Sequence, residues 1–395
     1  MGSRIDGADM TEEILRDIPD CYRAFAETLV TYENDSRLRC LPVDRDNLSG
    51  YDLSSNDYMG LGKTVDVENF LIDHKQSFFT SSASRLLSGH QESYKILENY
   101  LGELYSKEAL LFNSGYHANV GIIQSLAIEG TVFLCDKLIH ASMIDGLKLG
   151  DAEYRRWRHN NVGSLEKLLV KFKDAVRVVV IVESIYSMDG DISPLKNIVD
   201  LKKIYPNMIL YVDEAHAFGV RGERGLGVCE ELDILEDIDI LVGTFGKACA
   251  SSGAFVATNN LLKQYFLNTS RSFIFSTALP PINAEWTYNM IVKLSGMKKE
   301  RDHLMEISDR FRLGLEKISG LKTDSASHIV PLVIGDAKKA IELASRLANA
   351  GITALPIRRP TVVEGEERIR FSLSADLSVE DIDVILKKLK NEYEI

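Results

Sequence analysis

Between about residues 109 and 258 the chain repeats one theme: a short apolar run, one or two polar residues, then an amphipathic stretch. The runs read ALLFNSG, TVFLCD, VRVVVIVES, ILYVDEA, DILVGTFG and GAFVAT. A strand with one wet face alternates apolar and polar residues. Unbroken apolar runs of this length fit strands buried on both faces, and helical crossovers between them make a mainly parallel sheet in an α/β fold. Upstream, residues 11–50 are polar and mixed, with a helix expected through EEILRDIPDCYRAFAETLV. Downstream, Pro280-Pro281 opens a helical segment expected to run to about Ser319. HIVPLVIG, a helix to Ala350, ITALPIR, RIRFSLSA and a last helix then read as a smaller α/β domain. The expected division is an N-terminal segment over 1–50, a large domain over 51–285 and a small C-terminal domain over 286–395.

Several runs end on polar residues: Asn113-Ser114-Gly115, Asp136, Glu183-Ser184, Asp213-Glu214 and Thr244. Parallel sheets bind ligands beyond the carboxyl ends of their strands, so chemistry is expected there. One charge stands out. From Ile240 to Thr258 the single charged residue is Lys247. Lone lysines ordinarily sit on surface turns, but burying an unpaired ammonium costs several kcal/mol or lowers its pKa. Lys247 therefore either reaches solvent or is an unusually deprotonated amine.

Each neighbouring signal has a plain structural reading beside a chemical one. Asp213 is a helix cap or a ligand; His216, three residues on, is a packed core histidine or a catalytic one. DEAH also occurs as a helicase box, but no G-x-x-x-x-G-K-[ST] loop lies upstream. Gly115 sits between a strand and an amphipathic helix, where free amides can hold a phosphate. His140, just after a strand, either caps a helix or stacks on a planar ligand. Glu183 and Ser187 close another run. The following DGD, with Asp189 and Asp191, reads as a turn and helix start, and no metal site is assigned.

Composition narrows the classes. The 395 residues are 45% hydrophobic and carry a net charge of −12, which argues against a nucleic-acid partner. Five cysteines (Cys21, Cys40, Cys135, Cys229, Cys249) are scattered without a C-x-x-C pair, pointing to a reducing compartment without structural disulfides or zinc. No run has the length of a membrane span, and no signal-peptide pattern opens the chain, so a cytoplasmic protein is expected. MGSRID has Asp6 where myristoylation needs Ser or Thr, and residues 1–9 read as an expression leader.

In chain order the motifs SSNDYMGLG, SRLLSG, NSGYHAN, HAS, SMDGD, DEAHAFGVRGERGLG, TFGK, FSTALPP and RPTVVEG with RIR make a specific set. From about residue 50 to 390 the chain resembles the fold-type I pyridoxal-phosphate enzymes, and within them the α-oxoamine synthases. The resemblance implies a large domain with a mainly parallel seven-stranded sheet and a smaller C-terminal α/β domain. It implies that Lys247 carries pyridoxal 5'-phosphate as a Schiff base and that Asp213 pairs with the pyridine nitrogen. His140 stacks on the ring, Glu183 belongs to the pocket, and His216 and Ser187 meet the phenolic oxygen side. Gly115, Tyr116 and Thr244 hold the phosphate. Ser276 and Thr277 reach it from a neighbouring subunit, which implies a homodimer.

The implied reaction is a decarboxylative condensation of an amino acid with an acyl-CoA or carrier-bound acyl thioester. Lys247 takes the α-proton, with Asp213, His140 and His216 as the other catalytic residues; His216 polarises the acyl carbonyl. Arg370 grips the amino-acid carboxylate, and Asn56 and Thr361 touch substrate. The alternative for Arg370 is a surface ion pair; strand alternation is read as leaving one of Arg368 and Arg370 pointing inward, and Arg370 is chosen. SRLLSG favours L-alanine with a pimeloyl thioester, whose far carboxylate would meet Arg358, Arg359 or an N-terminal arginine (Arg37 or Arg39). The sister reactions join glycine to acetyl- or succinyl-CoA, or serine to palmitoyl-CoA. A silent partner subunit would lack the lysine. Two positions depart from the family: Ala83 and Ala250 stand where glycine is common.

Overall fold

The computed structural model describes residues 18–39, 41 and 50–393. Its strands are β1 (Tyr51–Asp52), β2 (Glu108–Phe112), β3 (Thr131–Asp136), β4 (Glu153–Trp157), β5 (Arg177–Glu183) and β6 (Met208–Asp213). There follow β7 (Ile240–Thr244), β8 (Ala254–Thr258), β9 (Ile329–Val333), β10 (Ile352–Thr353), β11 (Leu355–Ile357) and β12 (Arg368–Ser372). Seven of them form one sheet in the order β2-β8-β7-β6-β5-β3-β4. Its pairings are parallel except at β8, which runs antiparallel to both β2 and β7.

The unbroken valines of β5 show why the runs carry no alternation. Val178, Val180 and Val182 pack into one core with the helices Glu92–Tyr105, Val162–Lys171 and Leu195–Ile204. Val179 and Ile181 point the other way, into a second core with the helices Gly115–Leu126 and Ala141–Leu149. Both faces are dry, so every position must be apolar; each such side chain contributes roughly 1.5–3 kcal/mol of burial. The edge strand β4, EYRRW, is mostly exposed, which is why it stands outside the apolar runs.

The smaller unit holds the antiparallel sheet β11-β12-β9, and β1 pairs with β10 in parallel. Two expected helices differ. The segment after Pro280 is two helices, Pro281–Ser295 and Lys298–Ser319, because the backbone leaves helical geometry at Met297 (φ −89°, ψ 42°). The first packs on Glu92–Tyr105, the second on β9 and the last helix, Val379–Tyr393. Near the N-terminus the helix spans Arg23–Asn34 after a 3-10 turn at Asp20–Tyr22 that begins just beyond Pro19, whose ring removes a helix donor. Residues 12–17 of that expected helix, the leader 1–9 and Cys40 lie outside the described residues.

The DGD segment is a turn, as expected. Gly190 has φ +69°, and a Cβ there would lie 1.9 Å from the carbonyl oxygen of Ile329. Glycine thus lets the turn press against β9, which brings Ser187 and Asp189 to strand β12 beside it. Among the described residues no helix is long and apolar enough to cross a membrane.

Candidate active site

Strands β5, β6 and β7 end side by side at Glu183, Asp213 and Thr244, and the helix Gly115–Leu126 starts next to them. A cleft of about 170 Å³ opens there. It gathers Gly115, Tyr116, His140, Glu183, Asp213, His216, Thr244 and Lys247, eight of the residues singled out in the sequence. Asn119, Ser142 and Ala215 complete its lining.

Asp213 caps no helix; an irregular turn follows it. Its Oδ1 accepts the amide of Ala215 and its Oδ2 accepts Asn119 Nδ2, both at 2.8 Å. Asn119 is itself oriented by the Tyr211 hydroxyl, which donates to its Oδ1 at 2.6 Å. A carboxylate oxygen takes two hydrogen bonds, so each retains acceptor capacity toward the cleft. His140 does cap a helix, its Nδ1 accepting the Ser142 amide at 3.2 Å, and still presents its ring to the cleft. The capping reading of that histidine holds, with its ring at the edge of the cleft.

Lys247 is half-buried in the cleft and does not lie unpartnered. Its Nζ stands 2.8 Å from His216 Nε2. Burial lowers its pKa to about 8, against the opposing pull of Asp213 and Glu183. Burial, reinforced by Lys247, pushes His216 well below the usual imidazole range, so it is neutral. Glu183 goes the other way: burial, then the charge of Asp213, raises its carboxyl well above the ordinary range. Three residues beyond the lysine, Ala250 takes φ +45°. This left-handed conformation costs an alanine roughly 1 kcal/mol and a glycine almost nothing.

Behind His216 lies a second group of polar residues. Arg370 Nε donates to the Ser187 carbonyl at 2.6 Å, and its two terminal nitrogens approach Asn56 Oδ1 at 3.3 and 3.2 Å. The Tyr58 hydroxyl links this group to His216 Nδ1 at 2.7 Å. Strand alternation does not separate Arg368 from Arg370, contrary to expectation. Residues 368 and 370 are two apart and share a face, and both are buried. Arg368 pairs with Asp189, leaving Arg370 as the one aimed toward His216. Ser187 offers its carbonyl to Arg370 and does not line the cleft. Thr361 and Arg358 also lie outside its lining: Arg39 donates to Thr361 Oγ1 at 3.0 Å, and Arg358 donates to the Leu38 carbonyl at 2.6 Å. Arg37 instead turns back onto Asp35 and the Tyr32 ring. Ser276 and Thr277 are absent from the lining as well, with Thr277 exposed.

Asn119, Tyr58 and His328 were not singled out in the sequence. Asn119 was findable, since it follows Gly115 by four residues and so repeats its face of the helix. His328 had no local signal; its ring lies 4.0 Å from that of Tyr58.

The residues fit pyridoxal phosphate. Glu183 Oε1 is buried in the cleft without a hydrogen-bond partner among the described residues, and Asp213 offers acceptor capacity for a protonated ring nitrogen. The start of a 12-residue helix lies at the same mouth, where an anion is favoured.

Residues 49–389 match the family model described as aminotransferase class I and II. An 8-amino-7-oxononanoate synthase of Chlorobaculum parvum is 47% identical over 349 residues, covering 86% of this chain and 88% of that protein. The 8-amino-7-oxononanoate synthase of Haemophilus ducreyi is 42% identical over 381 residues, 92% of this chain and 98% of the other. Among solved structures, a serine palmitoyltransferase from S. paucimobilis with bound PLP-myriocin aldimine superposes with a TM-score of 0.85 at 28% identity, covering 96% of this chain and 99% of that one.

Proposed function

This chain belongs to the aminotransferase class I and II family, and from that premise we propose that it is a pyridoxal-phosphate-dependent acyltransferase of the α-oxoamine synthase type. It condenses L-alanine with a pimeloyl thioester, with loss of carbon dioxide, to 8-amino-7-oxononanoate in biotin biosynthesis. The observation that carries the reading is Lys247 Nζ, 2.8 Å from a neutral His216, in one cleft with Asp213.

In this reading Lys247 holds the cofactor, Asp213 holds its ring nitrogen, His140 covers its ring, and Gly115, Tyr116 and Thr244 receive its phosphate. When bound, the cofactor supplies an electron sink for the charge that develops at the amino-acid α-carbon. Arg370 and Asn56 grip the substrate carboxylate, the guanidinium as a two-pronged donor. With a pKa of about 8, a useful fraction of released Lys247 is neutral at physiological pH and takes the α-proton. The contacts of Arg39 and Arg358 hold the chain at 38–39 against the turn at 358–361, and in this reading these basic residues receive the far carboxylate of the pimeloyl chain.

The test is thiol release from pimeloyl-, acetyl-, succinyl- and palmitoyl-CoA with alanine, glycine and serine. Pimeloyl-CoA with alanine is expected to lead. Alanine should exceed glycine only modestly, since one methyl is worth about 1–3 kcal/mol in a pocket. Preference for serine with palmitoyl-CoA, or for glycine with acetyl- or succinyl-CoA, would assign a sister reaction.

The active unit in this reading is a cytoplasmic homodimer. Phe78, Phe79, Leu86, Leu87 and Phe275 are exposed. Backbone bonds from Ile282 to Phe78 and from Ala278 to Ala83 hold their two segments side by side, next to Ser276 and Thr277. An apolar surface of this kind favours a partner. If Ser276 and Thr277 complete the phosphate site of the other subunit, cofactor affinity should weaken on dilution together with the loss of dimer, followed by fluorescence and light scattering. A dilute monomer that retains full activity would refute this.

A further inference from the structure

We infer that Tyr58 fixes the tautomer of His216, so that His216 meets Lys247 as a proton acceptor. This rests on the catalytic reading of the cleft, in which Lys247 and His216 both act.

One buried chain of contacts begins at Arg370. A guanidinium only donates, and two of its nitrogens approach the same side-chain atom of Asn56 at 3.2 and 3.3 Å. That atom must therefore be the amide oxygen, which settles the orientation of an amide that could otherwise be flipped. The Tyr58 hydroxyl lies 2.9 Å from the same oxygen. Amide oxygen carries no proton, so the hydroxyl proton must lie between the two; otherwise two sets of lone pairs would face each other. Arg370 also approaches the Tyr58 oxygen, at 3.3 Å, and again can only donate. Tyr58 has then spent its single proton and can only accept from its remaining neighbour, His216 Nδ1 at 2.7 Å. Nδ1 must carry the ring proton. In a neutral imidazole Nε2 is then bare, and Lys247 Nζ, 2.8 Å away, donates to it.

The tyrosine is held firmly enough to impose this. Its side chain is fully buried and packs on the His328 ring at a centroid distance of 4.0 Å. Neither nitrogen of His328 has a hydrogen-bond partner among the described residues, so Tyr58 does not spend its proton on that ring. Tyr58 is a positioning residue: it touches His216 and acts through it.

The consequence is directional. To polarise an acyl carbonyl, His216 needs a proton on Nε2, and this tautomer has none there. The proton passes from the released Lys247 ammonium to His216 Nε2 uphill and only transiently, because burial holds His216 below Lys247; one N–H bond breaks, one forms, and no other reactant is needed. Lys247 becomes the neutral base and His216 the donor, in a single transfer over 2.8 Å.

The test combines two readouts. Nitrogen-15 spectra of selectively labelled histidine in the cofactor-free protein, with His216 assigned by its loss in His216→Gln, should show protonated Nδ1 and bare Nε2. Tyr58→Phe keeps the ring on His328 and removes the hydroxyl. It should shift His216 toward the other tautomer and, in the loaded enzyme, lower kcat on the order of a hundredfold while KM for the amino acid changes about threefold or less. A wild-type His216 protonated on Nε2 would overturn the inference, as would unchanged kcat in Tyr58→Phe. The wild-type tautomer is read without turnover, so it decides the point even if the variant does not fold. It also decides independently of which thioester the enzyme prefers, or of whether acyl transfer is seen at all.

Discussion

Lys247→Ala should lower acyl transfer on the order of 10⁴-fold or more, because the covalent anchor and the base for the α-proton are one amine. Fold should be retained, as the side chain ends in a cleft and alanine leaves the packed strands β7 and β8 intact. Borohydride reduction and peptide mapping of the wild type should place the adduct on Lys247; an adduct on another lysine would end the assignment. The pH dependence follows from the lowered pKa. Below about 8 the group is mainly the ammonium and cannot attack an aldehyde; above it the free amine prevails. Capture of added cofactor by the cofactor-free protein should therefore rise with pH and level off just above about 8. An ordinary lysine would keep rising toward about 10.4.

Asp213→Asn should cost on the order of a thousandfold in α-proton exchange, the scale seen when one preorganised electrostatic partner is removed. The structure adds a reason that the substitution is not innocent. Both oxygens of Asp213 accept from fixed donors, the Ala215 amide and Asn119 Nδ2. An asparagine must turn its own amine toward one of these, setting donor against donor for about 1–3 kcal/mol of stability. Asp213→Asn combined with Asn119→Asp exchanges the two groups and relieves that conflict. Stability should then recover while exchange stays low, because the charge has moved away from the cofactor. Near-normal exchange in the single variant would refute the role.

Much of this site was legible because strand ends advertise themselves. Asp213, Glu183 and Thr244 terminate apolar runs, and a lone lysine between two buried strands has few structural explanations. The seven-stranded sheet followed from family resemblance more than from pattern, since its edge strand β4 is exposed and polar. Hidden from the sequence were contacts made by distant segments. Tyr58 looks like one more aromatic residue until Arg370 and His216 arrive beside it. His328 sits in an apolar strand approach, where a ring without hydrogen-bond partners among the described residues leaves no periodic trace. The error over Arg368 and Arg370 was one of register: a two-residue separation puts both on one face, and only the positions of Asp189 and Ser187 tell them apart.

The hydrogen bonds between Arg370 and Asn56 also bear on how the molecule assembles. They close a separation of 314 residues, whereas the contact between Lys247 and His216 closes one of 31. A tenfold longer loop costs about 2 kcal/mol more to close, before any packing rewards it. The part of the site that would receive the cofactor draws on β5, β6, β7 and the helix Gly115–Leu126, within one sheet and its flank, and can form early. The carboxylate grip needs the two ends of the described chain to meet. In refolding, cofactor capture should thus precede amino-acid recognition, and a chain arrested between the two would hold its reactive lysine before it could choose a substrate.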